Sequence, residues 1–304
     1  MGDLAVSTAP RSLPIPQAAS DDHLIDLWVH NRPTETVRTY RADLVRFRGW
    51  AKKPLAEVTL ADLAGFWDSL ATPSPALSPT LSVATRNRIL SSVRSLLAFG
   101  HRIGCLAFDV GRPFRLAALP NQLAERILPE ADVQRMLHLE PDRRNRALLT
   151  LLYASALRVH ELCNLEWKHL QAQGEGEGQV TVFGKGGKTR SVQLPASVWK
   201  LLMELRKSPK TAGAVFVSRK KRGRESARLG EEQVWRIVRR AARRAGSEGN
   251  VSPHWLRHAH GSHALDRGAP IHLVQATLGH ASVATTGKYL HARPKESSSR
   301  YLAI

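Results

Sequence analysis

Two cysteines, Cys105 and Cys163, are all that 304 residues contain. Each sits in an apolar helical pattern, so no disulfide framework is expected, and both read as small buried thiols in a reducing compartment. The N-terminal stretch MGDLAVSTAPRSLPIPQ has no basic segment leading into an apolar core, and no apolar run reaches bilayer length. The expectation is therefore a cytoplasmic protein without a membrane partner. Gly-x-Gly-x-x-Gly and Walker sequences are absent, which argues against a doubly wound nucleotide-binding fold. His-Glu-x-x-His is absent as well. Acidic residues are in deficit, 26 Asp plus Glu against 45 Lys plus Arg, for a net charge of +19 and a pI near 10.8. Such an excess repels itself in a folded chain and implies a polyanionic partner, with nucleic acid first. An anionic membrane surface usually calls for a concentrated basic patch or amphipathic anchor rather than arginines spread through structured segments.

Helical periodicity dominates what is present. Residues 1–20, rich in Pro, Ala and Ser, supply no packing surface and are expected to be flexible. DDHLIDLWVHN places Leu24, Leu27 and Trp28 on one side of a helix, and VRTYRADLVRFRGWAK repeats Val37, Tyr40, Leu44 and Phe47 between arginines. Thr59 followed by Asp62 marks a cap before TLADLAGFWDSLA. A proline-broken stretch then gives way to VATRNRILSSVRSLLAFGHRIG, with Ile89, Val93, Leu96 and Leu97 at helical spacing. Weak periodicity with Pro113 and Pro120 marks a linker over 113–127. Beyond it, a helix starts at Pro129, RRNRALLTLLYASALRVHELCNLEW makes one or two apolar helices, and GQVTVFGKGGKTRSVQLP makes a hairpin around a Gly-rich turn. AVFVS offers a further strand, and EEQVWRIVRRAARRAG a basic amphipathic helix. The fold class expected is mainly α with a small antiparallel β-sheet, in a helical N-terminal domain and an α+β C-terminal one.

The stretch SPHWLRHAHGSHALDRGAP gathers four histidines and two arginines. A metal site is disfavoured, because Arg257 stands between His254 and His258 and no cysteine or carboxylate pair completes a ligand set. Phosphate suits these residues better: arginine offers a planar donor fork, and neutral histidine can donate or accept a proton. Upstream, YASALRVHEL sets Arg158 among apolar positions, where a guanidinium needs a cleft, a partner or an ion pair with Glu161. FGKGGKTRSV carries Lys185 and Lys188 on its turn. Downstream, LGHASVATTGKYLHARP supplies His280 and Tyr289.

This ordered set resembles the catalytic domain of the tyrosine recombinases, the phage-integrase family with its Xer-like members. It comprises Arg158 in ALRVHEL, Lys185 in GKGGKTR, His254 and Arg257 in HWLRH, His280 in LGH and Tyr289 in TTGKYLH. The resemblance covers roughly 128–294, and the helices over 21–112 resemble the family's core-DNA-binding domain. It implies a site-specific recombinase that cleaves and rejoins DNA through a 3′-phosphotyrosyl intermediate. In that chemistry Arg158 and Arg257 hold the scissile phosphate, Lys185 is the general acid, and His254 assists proton transfer and phosphate binding. His280 contacts the phosphate, Tyr289 is the nucleophile, and Glu161 supports the first arginine. Lys188 is the second-best match to the turn lysine. Neither ATP nor a metal is implied, since the phosphotyrosyl bond conserves the energy of the broken phosphodiester. The implied partner is double-stranded DNA with a specific core site, bound by a homo- or hetero-tetramer on two duplexes, in the cytoplasm or on a prokaryotic nucleoid. Residues 295–304 are a tail suited to exchange between protomers. Two alternatives share the motifs: a DNA-binding or architectural protein that has lost the chemistry, and a transposon integrase or hairpin resolvase with the same cleavage step.

Ala156 departs from the glycine that many relatives carry before the first Leu-Arg, and GKYLHARP from their more polar run at the tyrosine. Tyr301 is a competing nucleophile by type but lacks the surrounding motif. His258, His260 and His263 are expected as caps, packing residues or DNA-backbone contacts. Candidate DNA contacts are Arg38, Arg41 and Arg46 on the second helix, Lys188 on the turn, Arg219, Lys220, Lys221 and Arg222 in a basic run, and Arg236, Arg239, Arg240 and Arg243 on the basic helix.

Overall fold

Apolar residues at helical spacing build the first half of a computed structural model that describes residues 18–72, 80–120, 123–184, 189–206, 208, 212–222 and 225–289. The chain divides into two compact units, Met1–Pro120 and Asn121–Ile304. In the first, helices α1 (Asp21–Val29), α2 (Thr34–Ala51), α3 (Leu60–Ser69) and α4 (Val83–Arg102) enclose a core that includes Leu24, Trp28, Leu44, Phe47, Phe66, Ile89 and Leu96. Side-chain caps at Ser20, Thr59 and Ser82 start α1, α3 and α4. The Thr59 hydroxyl accepts from the Asp62 amide at 3.3 Å while Asp62 Oδ2 accepts from the Thr59 amide at 2.7 Å, closing a reciprocal box at the start of α3. Lys53 and Thr59 together hold the Asp62 carboxyl at about 2. The buried Asp43 of α2 accepts two bonds from Arg88 of α4, at 2.6 and 2.9 Å, and one from Ser92 at 2.8 Å. A carboxylate so satisfied ties two helices together without leaving a bare charge in the core. Phe114 and Leu116, within the stretch read as a linker, lie against this same core.

In the second unit the periodicity breaks where the chemistry begins. Helix α6 (Arg143–Ser155) ends at Ala156, whose φ of 51° is left-handed, and α7 (Val159–Cys163) starts immediately after Arg158. A residue with a Cβ costs about 1–2 kcal/mol in this conformation, and glycine would cost little. Ala156 is nevertheless fully buried, and the turn sends its carbonyl toward α10. The apolar run is thus two helices. It is preceded by α5 (Glu130–His138) and followed by a three-stranded antiparallel sheet of β1 (Leu170–Ala172), β2 (Gly178–Phe183) and β3 (Thr189–Leu194) in that order. Val180 pairs with Val192, so the alternating apolar residues of both long strands face the core. Helix α8 (Ala196–Met203) packs on α6.

The basic run forms a second antiparallel hairpin, β4 (Val217–Arg222) with β5 (Glu225–Arg228). The strand read at AVFVS therefore begins later and continues into the charged residues. Helix α9 (Glu231–Arg244) buries Val234, Ile237, Val238, Ala241 and Ala242 on one face. Helix α10 (Pro253–Asp266) packs against α5, α6, α9 and α11 (Ile271–Leu278), and the short α12 (Val283–Gly287) follows. The central place of α10 explains its weak amphipathicity: Leu256, Arg257, Ala259, Gly261, Ser262 and His263 are all buried. Among the described residues, no helix is long and apolar enough to cross a membrane.

Candidate active site

The end of α11 organises the site. A helix leaves its last carbonyls without intrahelical partners. Here the amides of His280 and Gly279 take Gln275 and Ala276, and three arginines from three other elements take the next three carbonyls. Arg190 Nε of β3 donates to Thr277 at 2.9 Å, Arg257 of α10 donates to Leu278, and Arg158 Nη2 reaches Gly279 at 3.4 Å. The partial negative charge at this helix end favours the cations. Gly279 itself is left-handed, with φ of 63°, and a Cβ there would stand 3.2 Å from the Arg190 side chain. Glycine in LGH is favoured on both counts.

Glu161 links the arginines from beneath. Its Oε1 accepts from Arg158 at 2.9 Å and from Arg190 at 2.9 Å, its Oε2 accepts from Arg190 at 2.7 Å, and the Arg158 amide adds a bond at 2.8 Å. Burial opposes its ionisation, but Arg190 and Arg158 overcome it and hold the carboxyl at about 2. The ion pair with Glu161 and a cleft-facing role are thus compatible for Arg158, whose side chain stays 31% exposed above a carboxylate that is wholly buried. Arg257 lies deeper. One terminal nitrogen bonds the Ala156 carbonyl at 2.5 Å and the other bonds Leu278, while burial and then Arg158 and Arg190 pull its guanidinium down to about 10. Glu161 balances one of three clustered cations. The surplus suits an incoming phosphate.

Tyr289 sits beside this frame, 5% exposed, in an apolar cluster with Ile127, Ala156, Val274 and Leu278. Burial raises its hydroxyl above the usual tyrosine range, and Arg257 pulls the other way. Its ring centroid lies 6.3 Å from His280 with the planes nearly parallel at 5°, and 5.8 Å from His258. His280 Nδ1 contacts the buried Thr286 hydroxyl at 2.9 Å, which fixes the imidazole. His258 Nδ1 contacts the Tyr289 hydroxyl at 2.8 Å. Burial, with neighbouring cationic groups, brings His258 and His280 each down to about 4, and His254 moves in the same direction. The three imidazoles are therefore neutral near pH 7.

Arg158, Glu161, Arg257, His280 and Tyr289 come together, and the exposed His254 joins through its ring contact with His258 at 6.5 Å. Lys185 and Lys188 lie outside the described residues, as does Tyr301. Arg190 is a participant that the sequence reading does not name; in TRSVQL it shares the inward strand face with Val192 and Leu194, and its partner is 29 residues away. His258 also gains a specific partner in place of a packing role. By contrast, His260 Nδ1 meets the Tyr153 carbonyl at 2.8 Å, and His263 bridges the Tyr153 hydroxyl and the Leu128 carbonyl, so both serve structure. The candidate DNA contacts differ in freedom. Arg38 and Arg41 pair with Glu35 and Asp26, and Arg46 is exposed. Arg219 pairs with Asp142, Arg236 with Glu232, and Arg239 lies 5.9 Å over Trp235, whereas Arg240 and Arg243 are exposed. Arg219, Arg236 and Arg240 also line a cavity of about 240 Å³ with Arg144. The side chains of Lys220, Lys221 and Arg222 lie outside the described set.

Residues 126–296 match the phage integrase family, and residues 21–103 match the phage integrase N-terminal SAM-like domain. The chain belongs to the phage integrase family. It is a Xer-like tyrosine recombinase of that family. Tyrosine recombinase XerC of Xanthomonas campestris pv. campestris is 32% identical over 264 residues, covering 84% of this chain and 78% of the relative. Tyrosine recombinase XerD of Ralstonia nicotianae is 30% identical over 309 residues, covering 93% of each. Among solved structures, XerH site-specific recombinase bound to difH substrate covers 95% of this chain and 85% of that chain, with a TM-score of 0.63 at 22% identity. A lambda integrase dimer bound to a COC′ core site covers 91% and 95%, with a TM-score of 0.68 at 17% identity. These likenesses establish the shared fold.

Proposed function

We propose that this recombinase cleaves and rejoins DNA at a specific core site through a 3′-phosphotyrosyl bond at Tyr289. The observation that carries the reading is the frame of Arg158, Arg190 and Arg257 on three successive carbonyls, with Tyr289 seated beside it. Tyr289 Oη attacks phosphorus and the 5′-oxygen leaves. Arg158, the more exposed guanidinium, and Arg257 stabilise charge on the phosphoryl oxygens as it develops. Glu161 keeps Arg158 oriented. His280 and His254, neutral at the start, donate to the phosphate, and His254 assists proton transfer. Lys185, which falls between β2 and β3 in the sequence, protonates the leaving 5′-oxygen. Rejoining reverses the sequence with a new 5′-hydroxyl, so neither ATP nor a metal enters the balance.

Residues 21–112 form a helical core-DNA-binding domain and 128–294 the catalytic domain, joined by a linker over 113–127. The tail 295–304 is an exchange segment between protomers, and the working assembly is a tetramer on two duplexes in the cytoplasm. The net charge of +19 and the arginines of α9 support a DNA partner. The test uses DNA recovered by sequencing protein adducts trapped in cells, rebuilt as a nicked suicide duplex. The wild-type protein is expected to accumulate a covalent adduct bearing a 3′-phosphate linkage and a free 5′-hydroxyl, and Tyr289→Phe to bind without forming one. Equal trapping by Tyr289→Phe overturns the assignment.

A further inference from the structure

His258 follows Arg257 directly on α10, yet it serves neither the phosphate frame nor the core. Its Nδ1 is 2.8 Å from the Tyr289 hydroxyl. One helical step further, on the same face, Gly261 shapes the same contact: a Cβ at 261 would stand 3.2 Å from the Tyr289 ring. Glycine inside a helix costs about 1 kcal/mol relative to alanine. That cost has a local reason here, because the missing side chain lets the tyrosine lie against α10 with its oxygen at His258. The other nearby imidazoles are engaged otherwise. His280 Nδ1 contacts Thr286, His260 and His263 contact Tyr153 and its surroundings, and His254 is exposed at the start of the helix.

We propose that His258 is the proton acceptor for Tyr289, holding the phenol through Nδ1 before DNA arrives and taking its proton as Oη bonds to phosphorus. The proposal rests on Tyr289 being the nucleophile. In the forward step the Tyr289 O–H bond breaks and an Nδ1–H bond forms. The Oη–P bond forms, the P–O5′ bond breaks, and the 5′-oxygen is protonated by the general acid assigned to Lys185. On rejoining, the imidazolium returns its proton to the departing phenolate.

The groups facing His258 are His254 and Arg257 from α10 itself, Arg126 from the turn before α5, His280 after α11 and Tyr289 after α12. Burial, with the cations Arg257 and Arg126 nearby, keeps His258 neutral, so Nδ1 is free to accept when its proton is on Nε2. A phosphodiester placed among the same cations offsets their repulsion and raises the basicity of His258. Proton acceptance is thereby coupled to the arrival of substrate.

The test uses single-turnover cleavage of the nicked suicide duplex described above, as a function of pH. His258→Asn places an oxygen near the Nδ1 position and preserves a hydrogen bond without a proton-accepting nitrogen. It is expected to bind the duplex and melt like the wild type, to cleave about 100-fold more slowly or worse, and to lose the acid-side fall in rate that the wild type shows. His258→Ala is expected to regain part of its rate with added imidazole. A His258→Asn protein that cleaves at the wild-type rate, or more slowly with an unchanged pH profile, overturns the proposal while leaving Tyr289 as nucleophile. A wild-type protein that forms no adduct at Tyr289 overturns both.

Discussion

Arg190 closes on Glu161 with two bonds, at 2.9 and 2.7 Å, and its side chain is only 12% exposed. Removing it leaves a fully buried carboxylate with one arginine instead of two. Breaking such a buried pair on one side typically costs about 3–5 kcal/mol. Arg158 keeps two bonds to Glu161, one from its guanidinium and one from its amide, so Arg190→Ala is expected near the lower end, about 3 kcal/mol by urea denaturation. Adding Glu161→Gln is expected to recover part of that loss, and additive losses would contradict the coupling. This residue marks the limit of what was legible in the sequence. Arg158, Arg257, His280 and Tyr289 announce themselves through local motifs, whereas Arg190 has meaning only once β3 meets the end of α11. The same holds for His258, whose partner arrives from 31 positions downstream. Gly261, interrupting a helical stretch, was the available hint of a close approach at that face.

Among the elements, α9 carries the most arginines, and they divide by role. Arg244 pairs with Glu140, a carboxylate whose side chain is 3% exposed, so it secures the fold. Arg240 and Arg243 face solvent and are the stronger candidates for phosphate contacts. Each lost contact reduces the magnitude of the slope of log affinity against log salt by ~0.9. Arg240→Ala and Arg243→Ala are each expected to do so with little change in thermal stability, and Arg244→Ala to lower stability instead. An unchanged slope in both exposed-site variants would remove α9 from the DNA interface. Elements with strong periodicity or capping, such as α2, α3, α4 and the β2–β3 hairpin, were readable from local patterns. The run over α6 and α7 was readable only as one or two helices, because Ala156 gives no glycine or proline signal for its left-handed turn. The basic β4–β5 hairpin was obscured by charge where a strand normally alternates.

For the molecule as a whole, the site makes stability depend on acidity. The unfolded chain protonates its histidines near 6.5, whereas His258 and His280 in the native state wait until about 4. The unfolded state therefore binds more protons in that interval, and stability falls as pH drops from 6.5 toward 4. Glu161, lowered from 4.5 to about 2, adds a further loss as pH falls through that lower window. Urea titrations across these ranges are expected to show both declines, with a shallower first decline in His258→Asn/His280→Asn; a flat wild-type profile between 6.5 and 4 would contradict the neutral-histidine site. The central claim, that cleavage chemistry belongs to Tyr289, has a direct test in peptide mapping of the DNA adduct after trypsin. Cleavage after Lys288 and after Arg300 releases peptides that begin at Tyr289 and at Tyr301, so the two tyrosines are separated by mass. A nucleotide-bearing phosphotyrosine is expected at the first residue of the Tyr289 peptide; the same modification on the Tyr301 peptide, or on any residue other than Tyr289, would overturn that assignment.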